Sequence, residues 1–163
     1  MGLTPEQQER VVAAAQSWLG TPFHHGARLK GPQGGVDCGN LLIAVYLEAG
    51  VLREAPRYEP PPPNWHLHDG SERYLRLIAA YCRRALRPWQ PGDILVFRGR
   101  RWPSAGHAGI YIGDGLLVHA VRGAGVQAWP LRSSLLAATL ESGWRWAGGE
   151  GDAGLGVLSG GVG

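Results

Sequence analysis

Near residue 90 the apolar spacing of this chain changes. Before it, apolar residues recur every three or four positions. After it they fall into short runs, Ile94–Phe97, His107–Ile112, Leu116–Val121 and Val126–Trp129, separated by Gly-rich turns. The first spacing is that of amphipathic helices and the second that of strands. Helices first and strands afterwards predict an α+β domain, with N-terminal helices packed on one face of an antiparallel β-sheet. A short helical stretch near 133–141 and a last strand through Trp144-Arg145-Trp146 complete this half.

In the first half, Thr4-Pro5-Glu6-Gln7 has the form of a capping box with Pro at the first helical position. Val11, Ala15 and Trp18 then share a face, and Gly20 can close the helix. Residues 21–36 read as a Gly/Pro-punctuated loop. A second helix, about 38–49, turns Leu41, Leu42, Val45 and Tyr46 inward and stops at Gly50. Residues 53–70 are Pro-rich, and the run Pro60 to Pro63 excludes a helix or a central strand, so an extended surface insertion is expected. A third helix is predicted over about 71–86, with Tyr74, Ile78, Tyr81 and Ala85 on one face. Residues 148–163 form a Gly-rich tail, read as a flexible end. Residues 1–147 are then one domain, long enough to bury a core.

Charge narrows the partners. The formal net charge is +3, Lys30 is the only lysine, and the arginines are spread along the chain. That spread fits a solvated surface rather than a nucleic-acid stripe. No apolar run has the length of a membrane span, and residues 1–20 lack the apolar core of a signal peptide. The expectation is a chain made in the cytoplasm that stays there, or leaves by lysis, by assembly into a particle or by another device. Cys38 and Cys82 form no CxxC, which argues for two free thiols, with Cys82 a buried small apolar residue. His66 and His68 alone are a weak metal signal, so no metal or cofactor is expected.

The chemistry centres on Gly35-Val36-Asp37-Cys38-Gly39-Asn40. Asp37 is suited to cap a helix by accepting the Asn40 N–H, and Cys38 then opens that helix, whose positive end favours a thiolate. The Asp37 charge works in the opposite direction. Cysteine catalysis also needs an imidazole base and a group that orients it. His107 and His119 lie on the two arms of one predicted hairpin. A two-residue loop, Asp114-Gly115, would send them to opposite faces of the sheet. A three-residue loop, Gly113-Asp114-Gly115, puts Gly109 opposite His119 and both histidines on one face. Gly115 supplies the left-handed residue such a loop needs, and Gly109 is read as leaving open space beside His119.

Trp18-Leu19-Gly20-Thr21-Pro22-Phe23, Val36-Asp37-Cys38, Pro91-Gly92-Asp93-Ile94, the run from Gly106 to Gly115, and Val118-His119-Ala120 occur in an order that resembles the NlpC/P60 peptidases. The resemblance covers roughly residues 10–147. The loop at 26–31 and the Pro-rich insertion are similar to the phage-associated branch. It implies a papain-like NlpC/P60 fold and a thiol endopeptidase that cuts peptidoglycan stem peptides, often after a γ-linked D-glutamyl residue. Cys38 then matches the nucleophile, His107 the base and His119 the orienting residue. Asp37, Phe23, His25, Asn40 and Gly106 are the expected substrate contacts. Peptidoglycan peptides, and phage tail proteins, are the implied partners. Phe23 stands where the family usually has Tyr, and Gly39 where it usually has Ser. These departures keep two alternatives open: a wall-binding or tail-assembly module without catalysis, and a thiol acyltransferase.

Overall fold

The structure is a computed structural model that describes residues 2–59, 62, 70 and 72–147. Most of the Pro60–Pro63 run, His66, His68 and the Gly-rich tail lie outside the described residues. The chain order is α1 (Pro5–Ser17), β1 (Arg28–Leu29), β2 (Gly35–Val36), α2 (Cys38–Glu48), α3 (Arg73–Ala79), β3 (Cys82–Ala85), β4 (Ile94–Phe97), β5 (His107–Gly113), β6 (Leu116–Val121), β7 (Gly125–Pro130), α4 (Ser134–Thr139) and β8 (Leu140–Trp146). Strands β3-β8-β4-β5-β6-β7 form one antiparallel sheet in that order. No helix among the described residues is long and apolar enough to cross a membrane.

The capping box is complete: Gln7 N–H donates to Thr4 Oγ1 at 3.1 Å, and Thr4 N–H donates to Gln7 Oε1 at 2.9 Å. It starts α1, whose Val11 and Ala15 pack with Trp18 into the core. Every residue of α2 from Cys38 to Tyr46 is buried. A helix apolar all round has no solvent face, and α2 accordingly packs between α1 and the sheet. Each fully buried Leu, Ile or Val there stabilises the fold by about 1.5–3 kcal/mol.

Three expectations change. The loop at 21–36 contains a small hairpin, with Arg28 opposite Val36. The third helix stops at Ala79, and Cys82–Ala85 instead pairs with Gly143–Trp146 as an edge strand. Tertiary pairing overrides helical spacing here. Tyr81 stacks on Trp146, which also stacks on Tyr46. Finally, the sheet is not covered on one face alone. Ile94 and Val96 join the main core, while Leu95 and Phe97 pack with Leu117 and Leu136 on the other face. A strand that is apolar at four successive positions is one buried on both sides.

Two side-chain arrangements tie the site's supports together. Asp93, 1% exposed, accepts from Arg145 Nε and Nη2 at 2.8 Å each, and from Gln90 N–H at 2.8 Å. Tyr46 donates its hydroxyl to Gly92 O, so the turn before β4 is held by both β8 and α2. On α2, a Cβ at Gly39 would sit 2.5 Å from Tyr58 Oη and 3.1 Å from Tyr74 Cε1. Tyr58, from the start of the Pro-rich segment, therefore occupies the place a side chain at 39 would take.

Arg145→Met strands the Asp93 carboxylate without its counter-ion and lowers unfolding free energy by roughly 3 kcal/mol in urea titrations, more than the double change with Asp93→Asn. Gly39→Ser wedges into the two tyrosines at a cost of about 1–3 kcal/mol. Tyr58→Ala in the same chain relieves most of that loss, and an unrelieved loss would show that Tyr58 is not what fills the space.

Candidate active site

Asp37 organises the approach to Cys38. Its Oδ1 accepts the Asn40 N–H at 2.9 Å, as a helix cap does, and its Oδ2 accepts the Gly26 N–H at 2.7 Å. The preceding segment is pinned beside Phe23: Val36 N–H donates to Pro22 O and His24 N–H to Val36 O. Cys38 thus opens α2 in a fixed position, 5% exposed and a free thiol.

The β5–β6 hairpin presents the histidines. Its tip is a two-residue turn, with φ +53° at Asp114 and +72° at Gly115, the signature of a type I′ turn. Ile110 faces Val118 and Tyr111 faces Leu117, yet Gly113 faces Leu116. One extra residue on β5 therefore forms a bulge at Ile112. The expected three-residue loop is replaced by a tighter turn plus a bulge, and the register is the same. Continued one step, it sets Gly109 opposite His119. The space at Gly109 is not open, however: a Cβ there would lie 2.8 Å from Leu117 Cδ2 and 2.9 Å from Val118 O.

The resulting contacts form a chain. Cys38 Sγ lies 3.1 Å from His107 Nδ1 and 3.4 Å from Ala120 O. His107 Nε2 lies 2.7 Å from His119 Nδ1. His119 Nε2 is buried without a hydrogen-bond partner among the described residues, and its ring stands at 77° to Trp129 with centroids 4.5 Å apart. Burial holds His119 down at about 4, so it is neutral at physiological pH. Burial also pushes the Cys38 thiol up to about 12, aided by the Asp37 charge. The Ala108 N–H, the Arg122 charge and the helix N-terminus oppose this and lose.

A cavity of about 440 Å³ opens over these groups. Of the residues proposed to contact substrate, Phe23, His25, Asp37 and Gly106 line it, and Tyr74, Trp129 and Arg122 join them. Asn40 does not line it. It is buried within the first turn of α2, where its backbone bonds Asp37. Asp37 reaches the cavity with both oxygens already engaged, so its contribution is positional. Trp129 was legible in principle: Gln127 opposes His119 and Trp129 opposes Leu117, which places Trp129 on the histidine face. Arg122 carries no such pattern, and only the folded turn reveals it.

The NlpC/P60 family model matches residues 20–145. A "Probable endopeptidase" of Mycobacterium tuberculosis is 34% identical over 125 residues, 76% of this chain and 26% of that protein. The chain thus spans about a quarter of the length of the curated relatives it matches. The fold is similar to the NlpC/P60 domain of the peptidoglycan hydrolase SagA, with TM-score 0.55 and 22% identity, covering 83% of this chain and 96% of that one. It is also similar to RipD of Mycobacterium tuberculosis, described as a non-catalytic NlpC/P60 domain protein adapted to peptidoglycan binding. That match has TM-score 0.54 and 18% identity, covering 86% and 97% of the two chains. Spanning most of the chain and running through both the helix-opening cysteine and the histidine hairpin, the family match settles descent: this protein belongs to the NlpC/P60 family.

Proposed function

We propose that the chain is a cysteine peptidase that hydrolyses amide bonds in peptidoglycan stem peptides, after a γ-linked D-glutamyl residue. The observation that carries this reading is the unbroken contact chain Cys38–His107–His119 at the floor of a cavity. Its members are the three groups that thiol catalysis needs, at hydrogen-bond separations.

The thiol's high pKa alters the mechanism expected from the helix terminus alone. Here a neutral thiol rests beside His107, and its proton passes to Nδ1 as the sulfur attacks the carbonyl. His119 Nδ1 then accepts from His107 Nε2–H, which fixes the tautomer and supports the imidazolium. The Cys38 N–H, free of an intrahelical partner, is the donor for the developing oxyanion. His107 protonates the leaving amine, and water releases the thioester. The high thiol pKa, with Phe23 and Gly39, also favours a second reading, a wall-binding module without turnover. A setting in a phage tail rests on the 26–31 loop and the Pro-rich insertion and is tested by co-purification with tail particles.

Incubation with peptidoglycan fragments, read by mass, separates the readings. Native chain should release stem-peptide products, and Cys38→Ala or His107→Ala should lower the rate by at least roughly 10³-fold. Binding of fragments without products from the native chain would instead leave the module. An amine-linked product would point to acyl transfer. Neutral buried His119 also makes stability pH-dependent. The unfolded state takes up a proton near 6.5 and the folded state only near 4, so stability falls as pH drops through that window. The loss is on the order of 3 kcal/mol, and in His119→Gln the thermal midpoint should decline less across the same range.

A further inference from the structure

We propose that Arg122 is a carboxylate receptor, so that the cavity takes peptides bearing a free carboxylate beside the scissile amide. The proposal rests on Cys38 as the nucleophile for where that amide lies. Strand β6 carries His119 and then Ala120, whose carbonyl touches Cys38 Sγ at 3.4 Å. Arg122 follows two residues on, about 7 Å along an extended chain. The distance suits a group on the residue whose carbonyl is attacked.

The turn that bears Arg122 is built to hold it there. Val126 N–H donates to Thr21 O at 2.8 Å and Gly20 N–H to Val126 O at 3.1 Å. Gly125 has φ +83°, and a Cβ on it would lie 2.6 Å from Thr21 O. Backbone contact this close seats the turn against the 20–23 segment. The Arg122 guanidinium consequently lies over the Phe23 ring, 5.4 Å from its centroid. The segment carrying Phe23 is in turn bonded to the strand that leads into Cys38.

What the guanidinium lacks is an anion. Arg98 pairs with Glu72 and Glu141, and Arg145 with Asp93, whereas Arg122 has no ion pair or hydrogen bond among the described residues. The other formal charge on the cavity wall is Asp37, and both its oxygens accept backbone N–H groups. The wall beyond includes Phe97, Trp102, Trp129 and Leu136, with Tyr74 and Thr139 as uncharged polar members. A stacked, unpaired guanidinium at the mouth of such a cavity presents a fixed fork of donors, which matches a carboxylate in two parallel hydrogen bonds. Phe23 thereby gains a function that needs a ring face and no hydroxyl.

The test uses two stem tripeptides with meso-diaminopimelate, identical except that the D-glutamyl α-carboxyl is free in one and amidated in the other. Native chain should prefer the free acid by roughly 10–100-fold in kcat/KM. Arg122→Gln should abolish the preference by raising KM for the acid with little change in kcat, and Arg122→Lys should restore part of it. Calorimetry with the Cys38→Ala chain measures the same ratio in binding, so absence of turnover would defeat the peptidase reading while the carboxylate site is still judged. Equal handling of acid and amide by the native chain would overturn the proposal. So would an equal loss on both probes in Arg122→Gln, because the arginine would then serve something other than this carboxylate.

Discussion

Both oxygens of the Asp37 carboxylate are taken by backbone N–H groups, one on the first turn of α2 and one on the loop at Gly26. This double anchor sets the helix terminus against the segment that carries Phe23, and so decides where Cys38 stands. The histidines are delivered by a separate element, and the thiol meets His107 at 3.1 Å only because helix and hairpin are locked to each other through the core. An acid next to a thiol is electrostatically unfavourable for a thiolate. Its persistence here is explained by what it bonds, which is backbone rather than sulfur.

The same anchor accounts for the electrostatic character of the site. A helix terminus contributes a partial positive charge that falls off within a turn. Full burial and a neighbouring carboxylate outweigh it, leaving the thiol near 12. In the proposed mechanism the burden of activation therefore falls on His107 as a base, and that raises the importance of its partner. His119 is neutral, enclosed and nearly perpendicular to Trp129, and its Nε2 has no hydrogen-bond partner among the described residues. Only Nδ1 is left to contact His107. Where that nitrogen accepts from His107, as proposed, the single proton of neutral His119 sits on Nε2.

Much of this was legible in the residues. Helix α2, the strands β4 and β6, and the shared face of His107 and His119 follow from periodicity and turn chemistry, since a one-residue slip would have flipped every side chain. The route to that register was not legible. A bulge at Ile112 and a longer loop give the same pairing, and sequence spacing does not distinguish them. The third helix failed for a different reason: Cys82–Ala85 has helical spacing, but its partner strand lies sixty residues away, and long-range pairing leaves no local trace. The sequence offers Asn40 as a substrate contact, a donor in place of the hydroxyls absent at Phe23 and Gly39. Two residues on along a helix, it stands about 200° round from Cys38, and it does not line the cavity.

The two departures from the usual family residues are best understood as exchanges of neighbours. Gly39 lacks a hydroxyl, and the place is filled by Tyr58 reaching in from the Pro-rich segment, with Tyr74 beside it at the cavity wall. Phe23 lacks one as well, and its ring face carries Arg122. In each case a polar group comes from a distant part of the chain and takes up the surface that the smaller or less polar residue exposes. The hairpin turn with Arg122 thereby becomes part of the cavity, and Tyr58 packs behind Tyr74 at Gly39, although neither is near Cys38 in sequence. Loss of a hydroxyl at one position is then no measure of what the site can bind, because the polarity of the cavity is set by the groups that fold onto it.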